Sequence, residues 1–241
     1  MSNINENHTE LQTENVQDVQ AEELAREFTT PVTREEYLEL NQVMMNQAEA
    51  VLKEKYGTDF IATHIGDRFD SDTARIYLHP AEEESLVFTA LLAYDGSVRD
   101  DFVSCMMLFR LKQDLLAHLS DAGINGDVNC VFPRPVWDEA DPGISPEKFL
   151  QKYAVDRVLV RLILAEGTTG ETVQDTLEEY SRTCPLDLMV NGFVLGESGM
   201  EECRKIFSAY PSVSEDWIRK FGPTESFRLF VSKGKETRIR G

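Results

Sequence analysis

The sequence has few cysteines and no long apolar run, and each shortage excludes a class of protein. No window approaches the roughly 18 apolar residues that mark a transmembrane helix. The spacing of the four cysteines matches neither a zinc site nor a CxxC motif: Cys105, Cys130, Cys184 and Cys203. We expect core thiols, with one disulfide as the alternative, and no cofactor. The first residues resemble no secretory signal, so we expect a cytoplasmic protein.

Basic side chains are also scarce. There are 24 lysines and arginines against 43 acidic residues, and the formal net charge is −19. Such a surface repels nucleic-acid phosphates and anionic lipid headgroups, and it favours basic partners. Acids dominate residues 1–36, whereas bases dominate residues 219–241. We therefore predict another protein, of basic charge, as the partner, and no direct contact with nucleic acid or membrane.

Composition divides the chain into four parts. Residues 1–30 are acidic and poor in apolar side chains, which predicts a disordered tail. Residues 31–132 predict an α+β half built of a helix, three strands, a helix and a strand. Residues 133–146 are rich in proline and predict a linker or a rigid surface loop. Residues 147–241 predict a second, mixed α/β half with a basic C-terminal end.

Local signals place the elements of the first half. Thr33 and Glu36 form a capping box before a helix over 34–56, which Gly57 ends. Ser97 and Asp100 favour a second long helix from about residue 98. Strands are predicted at 60–65, 74–78, 86–94 and 127–132. Three consecutive strands beside long helices are typical of an antiparallel meander packed by helices, which is an α+β fold.

The second half mixes helices and strands. Ser145 and Pro146 open a short helix, and Thr168 with Glu171 predicts the cap of another. Asn191-Gly192 lies between two apolar runs and predicts a hairpin, with one longer strand as the alternative. The remaining elements are a strand at 158–164, helices opened at 198 and 212, and a strand at 227–231.

Three groups of residues could carry chemistry, and each has a simpler structural explanation. The loop 167–172 resembles a phosphate loop, but Glu171 replaces the lysine that such a loop needs, so a capped turn is favoured. A metal could bind Asp67, Asp70 and Asp72, but the EF-hand glycine and terminal glutamate are missing, so a polar loop is favoured. We predict no catalytic, cofactor-binding or metal-ligating residue.

The histidines are the remaining candidates for acid–base chemistry. His64 and His79 lie in or beside neighbouring predicted strands and favour a surface pair. Cys105 and His118 would lie about 20 Å apart along one helix, so they cannot form a catalytic pair.

The proline-rich segment carries the candidate contact residues. Trp137 stands beside Pro135 and Asp138, with Glu139 and Asp141 nearby. A tryptophan in this setting is either a lid that packs on the core or an exposed anchor for a partner. We take Trp137, Asp138 and Asp141 as candidate partner contacts.

The segment LKEKYGTDF at 52–60 resembles a recurring segment of small uncharacterised proteins of Gram-positive gut bacteria and their mobile elements. There it likewise precedes a strand pair and a turn resembling YDGSVRDDF, which stands at 94–102. The resemblance covers about residues 34–132. It implies a bacterial origin and an α+β fold, and it implies no activity.

These observations predict a non-enzymatic protein–protein interaction or regulatory module. Two alternatives are an enzyme whose site is assembled only in three dimensions and an acidic mimic of DNA. An exposed apolar patch or sheet edge would favour the interaction module. A deep pocket with convergent polar groups would favour the enzyme, and rows of carboxylates at phosphate-like spacing would favour the mimic.

Overall fold

The structure, a computed structural model, describes residues 33–66 and 73–232 and the backbone of residues 238–240. The predicted tail at 1–30 and the aspartates Asp67, Asp70 and Asp72 lie outside the described residues. Among the described helices, none has both the length and the apolar content needed to cross a membrane.

The first helix, α1, spans Arg34–Tyr56 and begins as its capping box predicts. The Thr33 hydroxyl accepts from the Glu36 backbone N–H, and the Glu36 carboxylate accepts from the Thr33 N–H. Gly57 ends the helix at φ 69°, in the left-handed region that glycine adopts without strain. Both ends of the predicted helix are confirmed.

The first sheet is an antiparallel meander, as the sequence predicts. Its order is β1-β2-β3-β4, with β1 at Phe60–Ile65, β2 at Thr73–Pro80, β3 at Phe88–Ala93 and β4 at Val98–Asp100. The second long helix, α2, spans Phe102–Asp121, so its predicted start near residue 98 is wrong. Val98 pairs with Leu92 of the buried strand β3 across a tight turn, and this strand pairing overrides the local cap signal.

The second sheet is mixed and has the order β5-β6-β7-β8-β9. Only β6 and β7 run parallel, and α4 connects them. The strands are β5 Gly126–Val131, β6 Arg157–Ala165, β7 Asp187–Leu195, β8 Glu225–Val231 and β9 Arg238–Arg240. The helices are α3 Pro146–Lys152, α4 Gly170–Ser181, α5 Glu197–Ala209 and α6 Glu215–Arg219. The predicted α+β fold with a second mixed half is confirmed.

The predicted hairpin at Asn191-Gly192 is wrong, and the alternative of a single longer strand is confirmed. Both residues lie in the middle of β7, and Gly192 pairs with Phe227 of β8. A Cβ atom at position 192 would overlap the Phe227 ring. Glycine is therefore required here for the close approach of a ring, and no turn is involved.

One apolar core extends across both sheets. It joins α1 and α2 to the first sheet and continues through α2 and α4 to one face of the second sheet. Val136 and Ile144 of the proline-rich segment are buried in it. Whether residues 133–146 separate two domains stays a prediction.

Candidate functional site

The proline-rich segment forms neither helix nor strand up to α3, and Trp137 is half-buried in it. The guanidinium carbon of Arg99 lies 5.8 Å from the centre of the Trp137 ring, a cation–π distance. The ring is therefore neither fully packed in the core nor fully exposed.

Asp138 holds this segment against β4. Its backbone N–H donates to the Asp100 carbonyl at 2.8 Å, and its Oδ1 accepts from the Asp100 N–H at 3.0 Å. Its Oδ2 accepts from Arg99 Nε at 2.9 Å. The exposed Asp141 accepts from the Gly143 N–H at 2.9 Å. The structure thus uses Asp138, a candidate partner contact, inside the molecule.

Asp100 is the buried centre of this arrangement. Its side chain has no exposed area and accepts from Lys55 Nζ at 2.6 Å, the Tyr56 hydroxyl at 2.8 Å and the Phe102 N–H at 3.1 Å. The Tyr56 hydroxyl also contacts the Glu139 carbonyl oxygen at 2.9 Å. Burial raises the pKa of Tyr56, so its hydroxyl stays protonated and able to donate.

Glu139 is a second buried carboxylate, and its partners lie on α3. It accepts from Lys152 Nζ at 2.6 Å and from the Tyr153 hydroxyl at 2.7 Å. The hydrogen bond from Lys152 is the largest cause that lowers the pKa of Glu139, to about 2. Asp100, Asp138 and Glu139, with their donors on α1 and α3, form what we call the polar clasp. Since each carboxylate has donors, the clasp fastens the segment in place.

Next to the clasp, Asp101 precedes the first turn of α2. Its carboxylate accepts from the Thr89 N–H at 2.7 Å, and burial raises its pKa to about 6. The four cysteines are buried thiols, as the sequence predicts, and form no disulfide with one another. Burial also raises the pKa of the Cys105, Cys130 and Cys203 thiols, which makes the thiolate nucleophile scarce.

The histidines do not form the predicted surface pair. His64 lies opposite Tyr77 in the sheet, stacks on its ring at 4.6 Å and meets the edge of Tyr210 from the end of α5. His79 is buried, and its Nδ1 lies 2.8 Å from the Pro80 carbonyl oxygen. Burial lowers the pKa of His64, so its ring is neutral at pH 7. This ring therefore packs the first sheet against α5.

A cleft beside His118 lies between α2, α3 and the segment before β7. It has a volume of about 300 Å³. His118 stands at its wall with its ring centre 4.8 Å from that of the buried Tyr180. His118 and Cys105 lie on one continuous helix, as predicted, and so remain about 20 Å apart.

The remaining motif residues have structural roles where they are described. In the loop 167–172 the Thr169 hydroxyl accepts from the Thr172 N–H at 3.3 Å and caps α4. The cap is thus one residue later than predicted, and the capped turn is confirmed. Across the described ranges, no three His, Cys, Asp or Glu side chains come together as a metal site would require.

The second sheet presents a face that its helices cover only in part. Beneath α5 and α6, this face carries the buried Ile163, Phe193 and Leu195. Side chains two or four residues along a strand share the same face. Four apolar residues therefore lie side by side on that face beyond the helices, and we call them the apolar stripe: Val131, Leu159, Met189 and Phe230.

The apolar stripe is most accessible at its end on β7 and β8. Met189 is 37% exposed and its partner Phe230 is 42% exposed, whereas Val131 and Leu159 are half-buried. Four strands at about 4.8 Å spacing make the stripe about 14 Å long. These residues were not predicted as a surface, because each lies in an apolar strand of the kind that is typical of the core. One signal in the sequence could have revealed them. Arg157 and Arg161 lie two residues before and after Leu159, so in a strand the three side chains share a face that is partly polar.

A polar row separates the stripe from the helices. Asn129, Arg161, Asn191 and Arg228 are neighbours in the sheet register. Asn191 donates to Glu215 at 2.7 Å, and Arg228 lies 3.5 Å from the same carboxylate, which fixes the start of α6. Arg161 donates only weakly to Asn129, at 3.4 Å, and its buried Nε has no hydrogen-bond partner in the described part of the chain. The charge of Glu215 also acts on Arg161, but Glu215 is shared with Asn191 and Arg228.

Comparison with known proteins identifies one solved structure with a similar fold. No protein-family model matches the sequence, and no curated protein matches it. Among solved structures, the chain is similar to a DUF5037 family protein from Ruminococcus gnavus ATCC 29149, with a TM-score of 0.64 over 82% of this chain and 95% of that one. The identity is 13%, so the likeness shows the fold alone. That protein comes from a gut bacterium, in agreement with the origin that the resemblance implied. The resemblance of the LKEKYGTDF segment itself stays a prediction.

Proposed function

We propose that the protein is a non-catalytic protein-binding module and that the apolar stripe is its docking surface. The observation that carries this proposal is the pairing of Met189 with Phe230, two large apolar side chains exposed side by side on one sheet. Single exposed apolar residues are ordinary, but contiguous ones mark interaction surfaces.

The stripe also lies on a rigid platform. β6 and β7 are interior strands of the sheet, and their opposite face is buried through Val158, Val160, Leu188 and Val190. The backbone beneath the stripe is therefore held by hydrogen bonds on both sides and by the core below. A surface that is ordered before binding loses little conformational entropy on association, which favours a docking role.

An enzyme is less well supported by the same residues. Burial raises the pKa of the Cys105, Cys130 and Cys203 thiols, and the carboxylates of the polar clasp already accept from fixed donors. The cleft beside His118 is lined largely by apolar side chains, among them Met107, Phe132 and Leu150. None of these groups combines an accessible nucleophile with a base in hydrogen-bond reach.

Trp137 remains a second, predicted contact. Its ring is half-buried beneath Arg99, and the neighbouring Asp138 is engaged with Arg99 and Asp100. A partner could reach only the exposed edge of the ring. We therefore place the main docking surface at the stripe.

The test compares two exposed apolar residues, each on a strand. Phe230→Thr removes the larger side chain of the stripe, whereas Ile61→Thr changes a residue of β1 that is 46% exposed. A partner captured from bacterial cytoplasm is purified and titrated against each full-length variant. We expect Phe230→Thr to weaken binding about 30-fold, as loss of an anchor worth about 2 kcal/mol does. Equal affinities of the two variants would refute the proposal.

A further inference from the structure

The apolar stripe is bordered by arginines. Arg161 and Arg228 lie two residues along their strands on one side, and Arg157 lies two residues along on the other. The register of β9 places Arg238 opposite Phe230 and Arg240 opposite Arg228. Arg157, Arg161 and Arg228 thus border the stripe in a chain in which acids far outnumber bases, and Asp187 lies beside Arg157 in the sheet register.

Not all of this positive charge is compensated within the molecule. Glu215 serves Asn191, Arg219 and Arg228 together, at distances from 2.7 to 3.7 Å. Arg157 pairs with the exposed Asp156 at 2.9 Å, a surface contact of small stabilising effect. Arg161 donates weakly to Asn129, and the charge of Glu215 also acts on it. The guanidinium groups of Arg157 and Arg228 are 47% and 66% exposed, so an incoming carboxylate could reach them and gain a strong hydrogen bond.

The direction of the stripe indicates the shape of the occupant. It crosses the faces of four strands, so an extended peptide lying along it would run across the strands and would not pair with the backbone of any one of them. A helix fits better, because side chains at i, i+4 and i+7 span about 10.5 Å, within the roughly 14 Å of the stripe. The flanking rows lie about 7 Å to each side, beneath the flanks of such a helix. α5 and α6 already pack on the same face.

We infer that the apolar stripe binds an acidic amphipathic helix of a partner protein, whose carboxylates pair with Arg157, Arg161 and Arg228. The inference rests on the proposed function and adds the chemistry of the partner. The net charge of the chain predicts a basic partner, whereas the arginines at the stripe favour an acidic one. We base the inference on the charges at the docking surface.

The probe is a synthetic helical peptide with leucines on one face and glutamates on both flanks. Two twins carry glutamine or lysine in place of glutamate. Binding of each labelled peptide to the full chain is measured by fluorescence anisotropy. We expect the acidic peptide to bind about fivefold or more tighter than its glutamine twin, as several exposed ion pairs provide, and to weaken as salt is added.

Variants of the full chain assign the contacts. Arg157→Gln and Arg228→Gln should reduce the preference for the acidic peptide and leave the glutamine twin's affinity unchanged. Arg182→Gln, an exposed residue at the end of α4, removes the same charge elsewhere and should have no effect. Phe230→Thr should weaken binding of both peptides.

The outcomes separate the inference from the proposed function. If the glutamine or lysine twin binds as well as the acidic peptide, and Phe230→Thr weakens all of them, the stripe is a docking surface and the inference is wrong. If Phe230→Thr changes nothing, the proposed function fails. Displacement of the acidic peptide by tighter-binding single-stranded DNA would overturn the inference, as would a dimer of the chain that Phe230→Thr dissociates.

Discussion

Replacing Gly192 by alanine tests the packing that sets the second sheet. The Cε1 atom of Phe227 would lie 2.6 Å from the added Cβ, and other ring atoms would lie nearer. Carbon atoms in proteins pack at about 3.5–4.0 Å, so the ring or the strand must move by about 1 Å. Overpacking of this kind costs about 1–3 kcal/mol. Alanine also restricts the conformations of the unfolded chain, and this stabilisation offsets about 0.5–1 kcal/mol of the overpacking cost.

We therefore expect Gly192→Ala to lower the free energy of unfolding by about 1–2 kcal/mol in urea denaturation followed by circular dichroism. Gly170→Ala is the matched control, because its Cβ would meet the same ring at 3.8 Å, an ordinary contact. It should be neutral or slightly stabilising. Phe227→Leu in the Gly192→Ala background should restore part of the loss. An unchanged urea midpoint for Gly192→Ala, or an equal loss for Gly170→Ala, would refute the reasoning.

The polar clasp gives two further predictions. Asp100→Ala leaves Lys55 and the Tyr56 hydroxyl without their buried acceptor, so it should cost about 3–5 kcal/mol of stability, and Tyr56→Phe about 1–3 kcal/mol. In urea denaturation the double variant should lose less than the sum, and strict additivity would contradict a shared network. The hydrogen bond from Lys152 lowers the pKa of Glu139 to about 2, so its stabilisation is complete above pH 4.5 and is lost as the pH falls towards 2. The gap in urea midpoint between the wild type and Glu139→Gln should therefore close below pH 4.5, and a constant gap would count against this assignment.

The elements that the sequence predicted well are those whose signals are local. The capping box of Thr33 and Glu36 needs only two side chains within one turn, and Gly57 needs only its own φ. Both act before any tertiary contact is made, so the sequence alone places α1 at its observed ends.

The elements that were predicted wrongly depend on which strands pair with each other. Asn191-Gly192 is a hairpin signal only if the neighbouring runs pair with each other, but β7 pairs instead with β6 and β8. Gly192 is explained by Phe227, and Val98 by Leu92 across the turn of the meander. Tertiary pairing overrides local propensity in both places.

The apolar stripe was not predictable for a related reason. Met189 and Phe230 lie in apolar strand sequences, as the core residues of β7 and β8 do. Their exposure depends on where α5 and α6 stop covering the sheet. That limit is set by the row of Asn129, Arg161 and Asn191, whose polar groups receive residues 211–215. Strand periodicity could reveal that these polar residues share a face with Met189, but not which helices lie above them.

The net charge is a poor guide to the partner for a physical reason. At physiological ionic strength a charge is screened over about 8 Å, so most of the surplus acids are hardly felt by a helix that lies on the stripe. The flanking arginines, about 7 Å to each side of the stripe, lie within that distance. The local field at the docking surface is therefore set by Arg157, Arg161 and Arg228 with their few acidic neighbours. A net charge of −19 describes how the whole molecule repels other anionic molecules at long range, and it leaves room for one surface that attracts an acidic segment.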